Sequence, residues 1–193
     1  MDDIVKAAMA KWPQVPHCYG WLGLDARGDW YMRDDGCQAA GTFASACAQR
    51  DRAAKGSRLQ HEKLIEFIGR NYASDPTGQW FFQNGPQRVF VELEDTPVVW
   101  RVQDNFAVHD HTGCPAQVQA CYADESGRGY LSARRAQTVV MGLVHSQDML
   151  MLANALEQGI WQVQALAGEE LPKRFAFIRS PQEQHRKSAA AQR

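Results

Sequence analysis

The chain has 193 residues, and its 21 Lys and Arg against 22 Asp and Glu give a formal net charge of −1. Hydrophobic residues make up 45% and charged residues 22%, a composition that excludes a disordered chain or an extended coiled coil. The near-neutral balance also argues against a nucleic-acid partner, because binding to a phosphate backbone requires an excess of positive charge.

Neither a membrane segment nor an export signal is evident. The N-terminus is acidic, whereas a secretory signal begins with basic residues before an apolar stretch. No run approaches the ~18 apolar residues that a membrane-spanning helix needs. The five cysteines are an odd number without paired spacing, which favours free thiols in a reducing compartment. We therefore expect a cytoplasmic protein with no membrane partner.

Local patterns predict an α+β fold. In chain order they indicate a helix over 2–12, strands over 19–24 and 29–33, a helix over 57–71 that starts with a capping box at Ser57, strands over 79–83, 88–93, 98–102, 106–108, 118–122 and 136–144, a helix over 146–158, and closing strands over 160–166 and 174–178. Asn84-Gly85 between two strand-like runs is a strong hairpin signal, because both residues tolerate a positive φ. We expect repeated β-hairpin units that form antiparallel sheets packed with two or three helices.

The domain organisation follows from composition. Residues 1–179 are expected to form one compact α+β domain or two similar subdomains over 1–103 and 104–179. The segment 34–56 is rich in Ala, Gly, Ser and charge, which predicts a mobile insertion with a short helix near 44–52. The polar, Ala-rich and basic tail over 180–193 is expected to be disordered.

A short motif occurs three times along the chain, as an Asp-x-x-Gly turn followed by a strand-like run. The copies are Asp25–Met32, Asp75–Phe82 and Asp124–Leu131, spaced 50 and 49 residues apart. Aspartate closes such a turn through its side chain, and glycine supplies the positive φ. Trp30 and Trp80 are in register, whereas the third copy has glycine at that position. The regular spacing favours an internal repeat of hairpin-plus-helix units over coincidence.

Longer stretches support a resemblance to known families. The residues that carry it are Trp12–Asp25 (WPQVPHCYGWLGLD), Gly28–Trp30, Phe67–Tyr72 (FIGRNY) and Gly78–Pro97 (GQWFFQNGPQRVFVELEDTP). They resemble an uncharacterised proteobacterial protein family, a domain of unknown function, over most of the chain. The order of motifs is also similar, more weakly, to a second bacterial family of unknown function with a repeated α+β fold, for which a signalling or ligand-sensing role has been suggested. The resemblance implies a fold and no specific chemistry.

One candidate ligand site lies around the predicted Asn84-Gly85 hairpin. Its residues are Trp30, Trp80, Gln83, Asn84, Gln87 and Arg88. Aromatic walls with a few directional polar groups suit a groove for a small molecule or a peptide. The alternative is that the tryptophans belong to the core and that the amides serve the turn.

The stretch His109, His111 and Cys114 is the one that most resembles a metal site, since Zn²⁺ accepts His and Cys ligands. The spacing matches no standard zinc motif, however, and a glycine-containing turn explains the residues without metal. We therefore expect no metal and no other cofactor.

A cluster of Glu92, Glu94 and Asp95 offers the paired carboxylates that glycoside hydrolysis uses. A solvated strand face is the favoured interpretation, and no catalytic residue is identified. Phosphate-binding loops, dinucleotide fingerprints and nucleophile elbows are all missing.

These observations favour a non-catalytic module that binds or senses a small ligand or another protein. A small hydrolase-like enzyme with an unrecognised site is the first alternative. The second is a homo-oligomeric structural or assembly protein, in which an exposed sheet edge forms a homodimer.

Overall fold

The computed structural model describes residues 1–191, and these form an α+β fold, as predicted. Within that range the elements in chain order are α1 (Asp3–Lys11), β1 (Cys18–Leu24), β2 (Trp30–Met32), α2 (Asp35–Ala40), α3 (Phe43–Gln49), α4 (Arg52–Lys55), β3 (Ser57–Arg58), α5 (Glu62–Arg70), β4 (Tyr72–Ser74), β5 (Trp80–Asn84), β6 (Gln87–Leu93), β7 (Val98–Val102), β8 (Val108–Asp110), β9 (Pro115–Ala123), β10 (Gly129–Arg135), β11 (Thr138–Val144), a 3₁₀ turn (Ser146–Asp148), α6 (Met149–Glu157), β12 (Val163–Ala165), α7 (Leu171–Arg174) and α8 (Pro181–Ala191). None of the helices described is long and apolar enough to cross a membrane.

The chain divides into two compact units. Among the described residues, unit 1 contains 1–25, 29–94 and 177–191, and unit 2 contains 26–28 and 95–176. Along the chain the break falls between Glu94 and Asp95, and the chain returns to unit 1 at Phe177. Two similar subdomains over 1–103 and 104–179 stay a prediction. A single compact domain over 1–179 stays a prediction.

Unit 1 is built on a six-stranded sheet in the order β3-β2-β1-β6-β5-β4. The central pair, β1 and β6, is parallel, with Leu22 opposite Val91 and Leu24 opposite Leu93, and the other neighbours are antiparallel. All four of these aliphatic side chains are buried. Sequence patterns indicated antiparallel hairpins only, because a parallel pair joins segments that are far apart in the chain.

Unit 2 contains a sheet in the order β10-β11-β7-β8-β9-β12, which closes on itself because β9 also pairs with β10. Trp100 on β7 is fully buried in this unit, and its indole Nε1 donates to Leu131 O at 2.8 Å. Glycine is required at 142, since a Cβ there would lie 2.4 Å from that indole nitrogen. The interior of this unit therefore includes a large aromatic residue whose polar atom has a partner.

The Asp-x-x-Gly turns form as predicted, and the structure contains one more. In each, the aspartate main-chain N–H donates to the carbonyl four residues later, and one carboxylate oxygen accepts the amide of that same residue: Asp25 with Asp29, Asp75 with Gln79, Asp110 with Cys114, and Asp124 with Arg128. The glycine three residues after each aspartate has a φ between +74° and +85°. A repeat of whole hairpin-plus-helix units stays a prediction, whereas the turn chemistry is shared.

Two local predictions are wrong. Ser57 lies in β3 and does not cap a helix; α5 begins later, where His61 Nδ1 accepts from Leu64 N at 3.3 Å. The imidazole takes the capping role that the pattern assigned to a serine hydroxyl. The segment 174–178 forms no strand: α7 continues to Arg174, a turn follows at 175–176, and 177–178 are irregular.

Three short helices, α2, α3 and α4, occupy the segment 34–56 for which the sequence predicts mobility. Asp34, Thr42 and Asp51 cap them through side-chain oxygens that accept main-chain amides. Phe43 is fully buried, and a Cβ at Gly23 on β1 would lie 2.5 Å from its ring. Local capping and one aromatic anchor therefore give this segment defined structure.

A helix occupies most of the C-terminal tail, and disorder of the tail stays a prediction. Residues 181–191 form α8, where the sequence predicts a disordered tail over 180–193, and residues 192 and 193 lie outside the described residues. Pro181 and Gln182 are buried, whereas the rest of α8 is exposed. The first turn of α8 is held by the buried Glu92, a contact that local composition does not reveal.

Candidate functional site

The two tryptophans of the predicted groove lie inside unit 1. Trp30 on β2 and Trp80 on β5 are 2% and 5% exposed, and both pack against the ring of Tyr72, at centroid distances of 5.1 and 4.7 Å. Their strands are separated in the sheet by β1 and β6. The structure thus brings these rings together through a shared core residue and presents little of their surface to a ligand.

The polar residues of that groove surround the β5–β6 turn. The Gln83 amide Nε2 donates to Gly85 O at 2.9 Å, and Gln87 Nε2 donates to Pro16 O at 2.9 Å. Arg88 lies over the Phe81 ring at 4.4 Å. Asn84 is exposed at the end of β5. Gln83 therefore serves the turn, whereas Gln87 ties the hairpin to the segment before β1, and a ligand groove here stays a prediction.

The geometry does not support a metal site at His109, His111 and Cys114. Among residues 1–191, no group of three or more His, Cys, Asp or Glu side chains is placed to hold a metal ion. His111 Nδ1 accepts from Val99 N at 3.2 Å, and the Cys114 thiol accepts from Arg135 at 3.6 Å. His109 lies on β8, with its ring Nδ1 buried. These contacts give His111 and Cys114 structural roles.

The solvated interpretation of Glu92 and Asp95 is wrong, because they are only 2% and 3% exposed. Glu92 accepts from Ser180 Oγ at 2.5 Å and from Gln182 N at 2.9 Å, and burial raises the pKa of its carboxyl group. Asp95, in unit 2, accepts from Arg128 at 2.8 Å. The two carboxylates therefore have separate structural partners, and Glu94 is half-buried between them in the chain.

Unit 2 contains an open cleft of about 600 Å³ lined by Arg101, His109 and Asp148 among others. Arg101 Nε and Nη2 donate to the Asp148 carboxylate at 2.6 and 3.0 Å, and Val102 N donates to the same carboxylate at 3.0 Å. The charges of Arg101 and Asp148 therefore neutralise each other, and the other carboxylate of the lining, the exposed Asp104, does not favour an anion.

A more polarised cavity lies in unit 1 and has a volume of about 390 Å³. We call it the basic pocket; its lining residues are Tyr31, Cys47, Arg50, Arg52, Lys55, Gly56 and Arg58. Four of these seven residues are cationic and none is acidic. Its size lies within the range of small-molecule sites, which is roughly 300–1,000 Å³.

The four cations differ in how their charge is balanced. Lys55 Nζ lies 3.0 Å from the Asp25 carboxylate, and Arg58 lies 2.7 Å from that of Asp29. Arg50 and Arg52 are exposed and have no ion-pair partner in the part of the chain that the structure describes. The pocket therefore has two guanidinium groups whose donors are available to an incoming anion.

Lys55 also organises the wall of the pocket. Its ammonium lies 4.2 Å from the centroid of the Tyr31 ring. Burial alone would lower the pKa of Lys55, but the hydrogen bond and the charge of Asp25 raise it on balance. The ammonium is consequently charged at any physiological pH, and the Asp25 carboxylate balances that charge.

The thiol in the pocket is not set up for nucleophilic chemistry. Burial, with the nearby Glu94 carboxylate, raises the pKa of Cys47 to about 12. A nucleophilic cysteine needs the opposite shift, because the thiolate is the reactive form. The pocket thus combines positive charge with a neutral thiol, an arrangement for holding an anion.

The buried Arg33 holds together the segment that forms this pocket. Its guanidinium donates from Nε to Ala54 O (3.1 Å), from Nη1 to Gly20 O (3.4 Å), and from Nη2 to Cys37 O (3.2 Å) and Gly41 O (2.5 Å). Ala54 lies on α4 between two cations of the pocket. One side chain therefore joins β1, α2 and α4, and positions the basic residues.

Sequence reasoning missed the basic pocket, although a signal was present. Arg50, Arg52, Lys55 and Arg58 fall within nine residues, in the order RDRAAKGSR. A charge run of this length usually marks a solvated face. The cavity arises because β2 contributes Tyr31 and α3 contributes Cys47, and neither contact is evident from the local pattern.

Comparison with known proteins places the chain in a family but supplies no activity. A family model described as "Protein of unknown function (DUF2946)" matches residues 1–182. Among solved structures, a DUF1285 family protein from Shewanella baltica OS155 is 14% identical, with a TM-score of 0.44 over 70% of this chain and 91% of that one. A DUF1285 family protein from Silicibacter pomeroyi DSS-3 is 10% identical, with a TM-score of 0.45 over 73% of this chain and 72% of that one. No curated protein matches the chain. The match over residues 1–182 confirms the predicted resemblance, and the chain belongs to the DUF2946 family of proteins of unknown function.

Proposed function

We propose that unit 1 is a non-catalytic module that binds a small anion, carrying a phosphate or carboxylate group, in the basic pocket. The observation that carries the proposal is the pair Arg50 and Arg52, which line a cavity of about 390 Å³ without an ion-pair partner among the described residues. A guanidinium group matches the geometry of a phosphate or carboxylate with two parallel hydrogen bonds.

The other cations have a supporting role in this proposal. Lys55 and Arg58 already contact aspartates, so their charges are largely balanced and their part is to hold the walls of the pocket in place. The anion would enter between the two unpaired arginines. Binding is favoured over catalysis because the one thiol of the pocket, Cys47, is a neutral group. The predicted cytoplasmic location belongs to the same proposal, since metabolites with phosphate or carboxylate groups are abundant there.

Isothermal titration calorimetry with inorganic phosphate tests the proposal, with citrate as a second probe. We expect saturable binding by the wild type, about tenfold weaker binding by Arg50→Ala or Arg52→Ala, and no measurable binding by the double variant, because each substitution removes a charge-assisted hydrogen bond. The affinity should also fall as the salt concentration rises, since exposed charges are screened.

The matched control is Arg134→Ala, which removes an exposed arginine from unit 2 and leaves the basic pocket intact. Its affinity for phosphate should equal that of the wild type. Equal binding by the wild type and the Arg50→Ala/Arg52→Ala double variant would contradict the proposal, as would a wild type that binds neither probe.

A further inference from the structure

The C-terminal helix α8 is docked on unit 1 by very few contacts. Glu92 on β6 accepts from Ser180 Oγ and from Gln182 N, which fixes the first turn of the helix. The His185 ring stacks on Tyr19 at a centroid distance of 4.2 Å and an interplanar angle of 5°. Beyond the buried Pro181 and Gln182, the helix is exposed. A helix of 11 residues with so small a buried face is marginal without its docking contacts.

One of these contacts reaches the segment that forms the basic pocket. Gln182 Nε2 donates to Gln38 Oε1 at 2.6 Å, and Gln38 lies on α2. Arg33 binds the carbonyls of Cys37 on α2 and of Ala54 on α4. A continuous chain of hydrogen bonds and short helices thus runs from α8 through α2 to α4, which carries Arg52 of the basic pocket.

The docked position of α8 leaves a buried hydrogen-bond donor without a partner within residues 1–191, which lowers the free energy needed to detach the helix. The Gln38 amide nitrogen Nε2 is buried and has no hydrogen-bond partner among the described residues. An unsatisfied buried donor destabilises the arrangement that contains it. A cleft of about 360 Å³, lined by Thr42, Glu92 and Lys187 among others, also lies beside α8. The helix is therefore held by specific hydrogen bonds more than by close packing.

We propose that α8 is a latch that controls the basic pocket: while Gln182 contacts Gln38, the segment 34–56 is held in the form that binds the anion, and release of the helix loosens that segment. The inference rests on the proposed anion-binding function. It adds a regulatory role for the C-terminal helix, since anything that displaces α8 lowers the affinity of the pocket.

Hydrogen–deuterium exchange and phosphate calorimetry on the full-length chain test the latch together. Gln182→Ala removes the contact from the α8 side and Gln38→Ala removes it from the α2 side. Each should speed amide exchange across residues 34–56 and weaken phosphate binding about threefold to tenfold, with little change in the exchange of unit 2. Ser188→Ala, on the exposed part of the same helix, is the matched control and should change neither measurement.

The outcomes separate the latch from the function on which it rests. Unchanged exchange over 34–56 in both variants overturns the latch, and so does faster exchange with unchanged phosphate affinity. A wild type that binds neither phosphate nor citrate overturns the proposed function, and with it the control of the pocket by α8. Agreement between the two variants excludes a local folding defect, because the substitutions lie on different elements.

Discussion

Arg33→Met is expected to destabilise unit 1 strongly, because the guanidinium serves four main-chain carbonyls that methionine cannot serve. The arginine is 1% exposed, and two of its acceptors, Ala54 O and Gly20 O, are in buried contacts, whereas those of Cys37 and Gly41 are partly open to water. Each buried carbonyl left without a donor costs about 1–3 kcal/mol.

The expected total follows from these contacts. Counting the two buried acceptors at full cost and the two others at little gives about 2–6 kcal/mol. Part of that loss is offset, because the neutral methionine avoids the free-energy cost of burying a charge. The lowered pKa of Arg33, caused by its burial, reflects that cost. We therefore expect a net loss of about 3 kcal/mol, a large share of the roughly 5–15 kcal/mol that stabilises a typical domain.

Urea denaturation monitored by tryptophan fluorescence and by circular dichroism measures this loss as a shift of the unfolding midpoint at constant slope. Arg134→Met is the control, since that arginine is exposed in unit 2, and it should change the free energy of unfolding by less than about 0.5 kcal/mol. A loss below about 1 kcal/mol for Arg33→Met would refute the reasoning, because it would mean that the segment 34–56 does not depend on these hydrogen bonds.

Three further predictions follow from individual contacts. Gly142→Ala should destabilise unit 2 by about 2 kcal/mol or more in the same assay, because the added methyl group would overlap Trp100; an unchanged midpoint would contradict that close approach. Burial raises the pKa of Glu92, so its carboxyl group binds a proton more tightly in the folded than in the unfolded protein. The resulting stabilisation is fully present at pH values below the ordinary glutamate pKa, and it is lost as the pH rises through the folded-state pKa. Glu92→Gln should therefore flatten the pH dependence of the free energy of unfolding, and an unaltered profile would oppose this. Cys47, with a pKa near 12, should resist N-ethylmaleimide at pH 7.5 in the folded protein, as followed by mass spectrometry of its peptide, and rapid labelling would show an exposed or activated thiol.

The features that the sequence predicts well are local ones. The Asp-x-x-Gly turns form because every hydrogen bond in them lies within five residues, as when Asp75 accepts from Thr77 and Gln79. The fourth turn at Asp110 follows the same rule and was evident from its own sequence, although it was considered there only as an explanation for a possible metal cluster. Local chemistry of this kind needs no knowledge of the fold.

The features that the sequence did not predict depend on distant partners. Glu92 looks like part of a solvated acidic run, yet it is buried by Ser180 and Gln182, which lie 88 and 90 residues further along. The docking of the first turn of α8 and the structure of the segment 34–56 follow from such contacts, through Glu92 and Arg33. Periodicity and composition report on the chain near a residue and therefore miss partners of this kind.

The candidate site shows the same limit. The predicted groove depended on Trp30 and Trp80. Aromatic side chains are as common in a protein core as in the wall of a ligand site, and the structure buries both tryptophans. The basic pocket instead depends on which other elements surround Arg50 and Arg52, and a charge run does not reveal whether it borders a cavity. For both the groove and the basic pocket, contacts between distant parts of the chain determine whether the residues face a cavity.

The most direct test of the central claim is a titration of the isotopically labelled protein with inorganic phosphate, followed by two-dimensional ¹H–¹⁵N spectra. If the basic pocket is the site, the amides of residues 50–58 and the arginine side-chain resonances of Arg50 and Arg52 shift in a saturable manner. Shifts confined to the β5–β6 hairpin over 80–93, or an absence of saturable shifts, would contradict it.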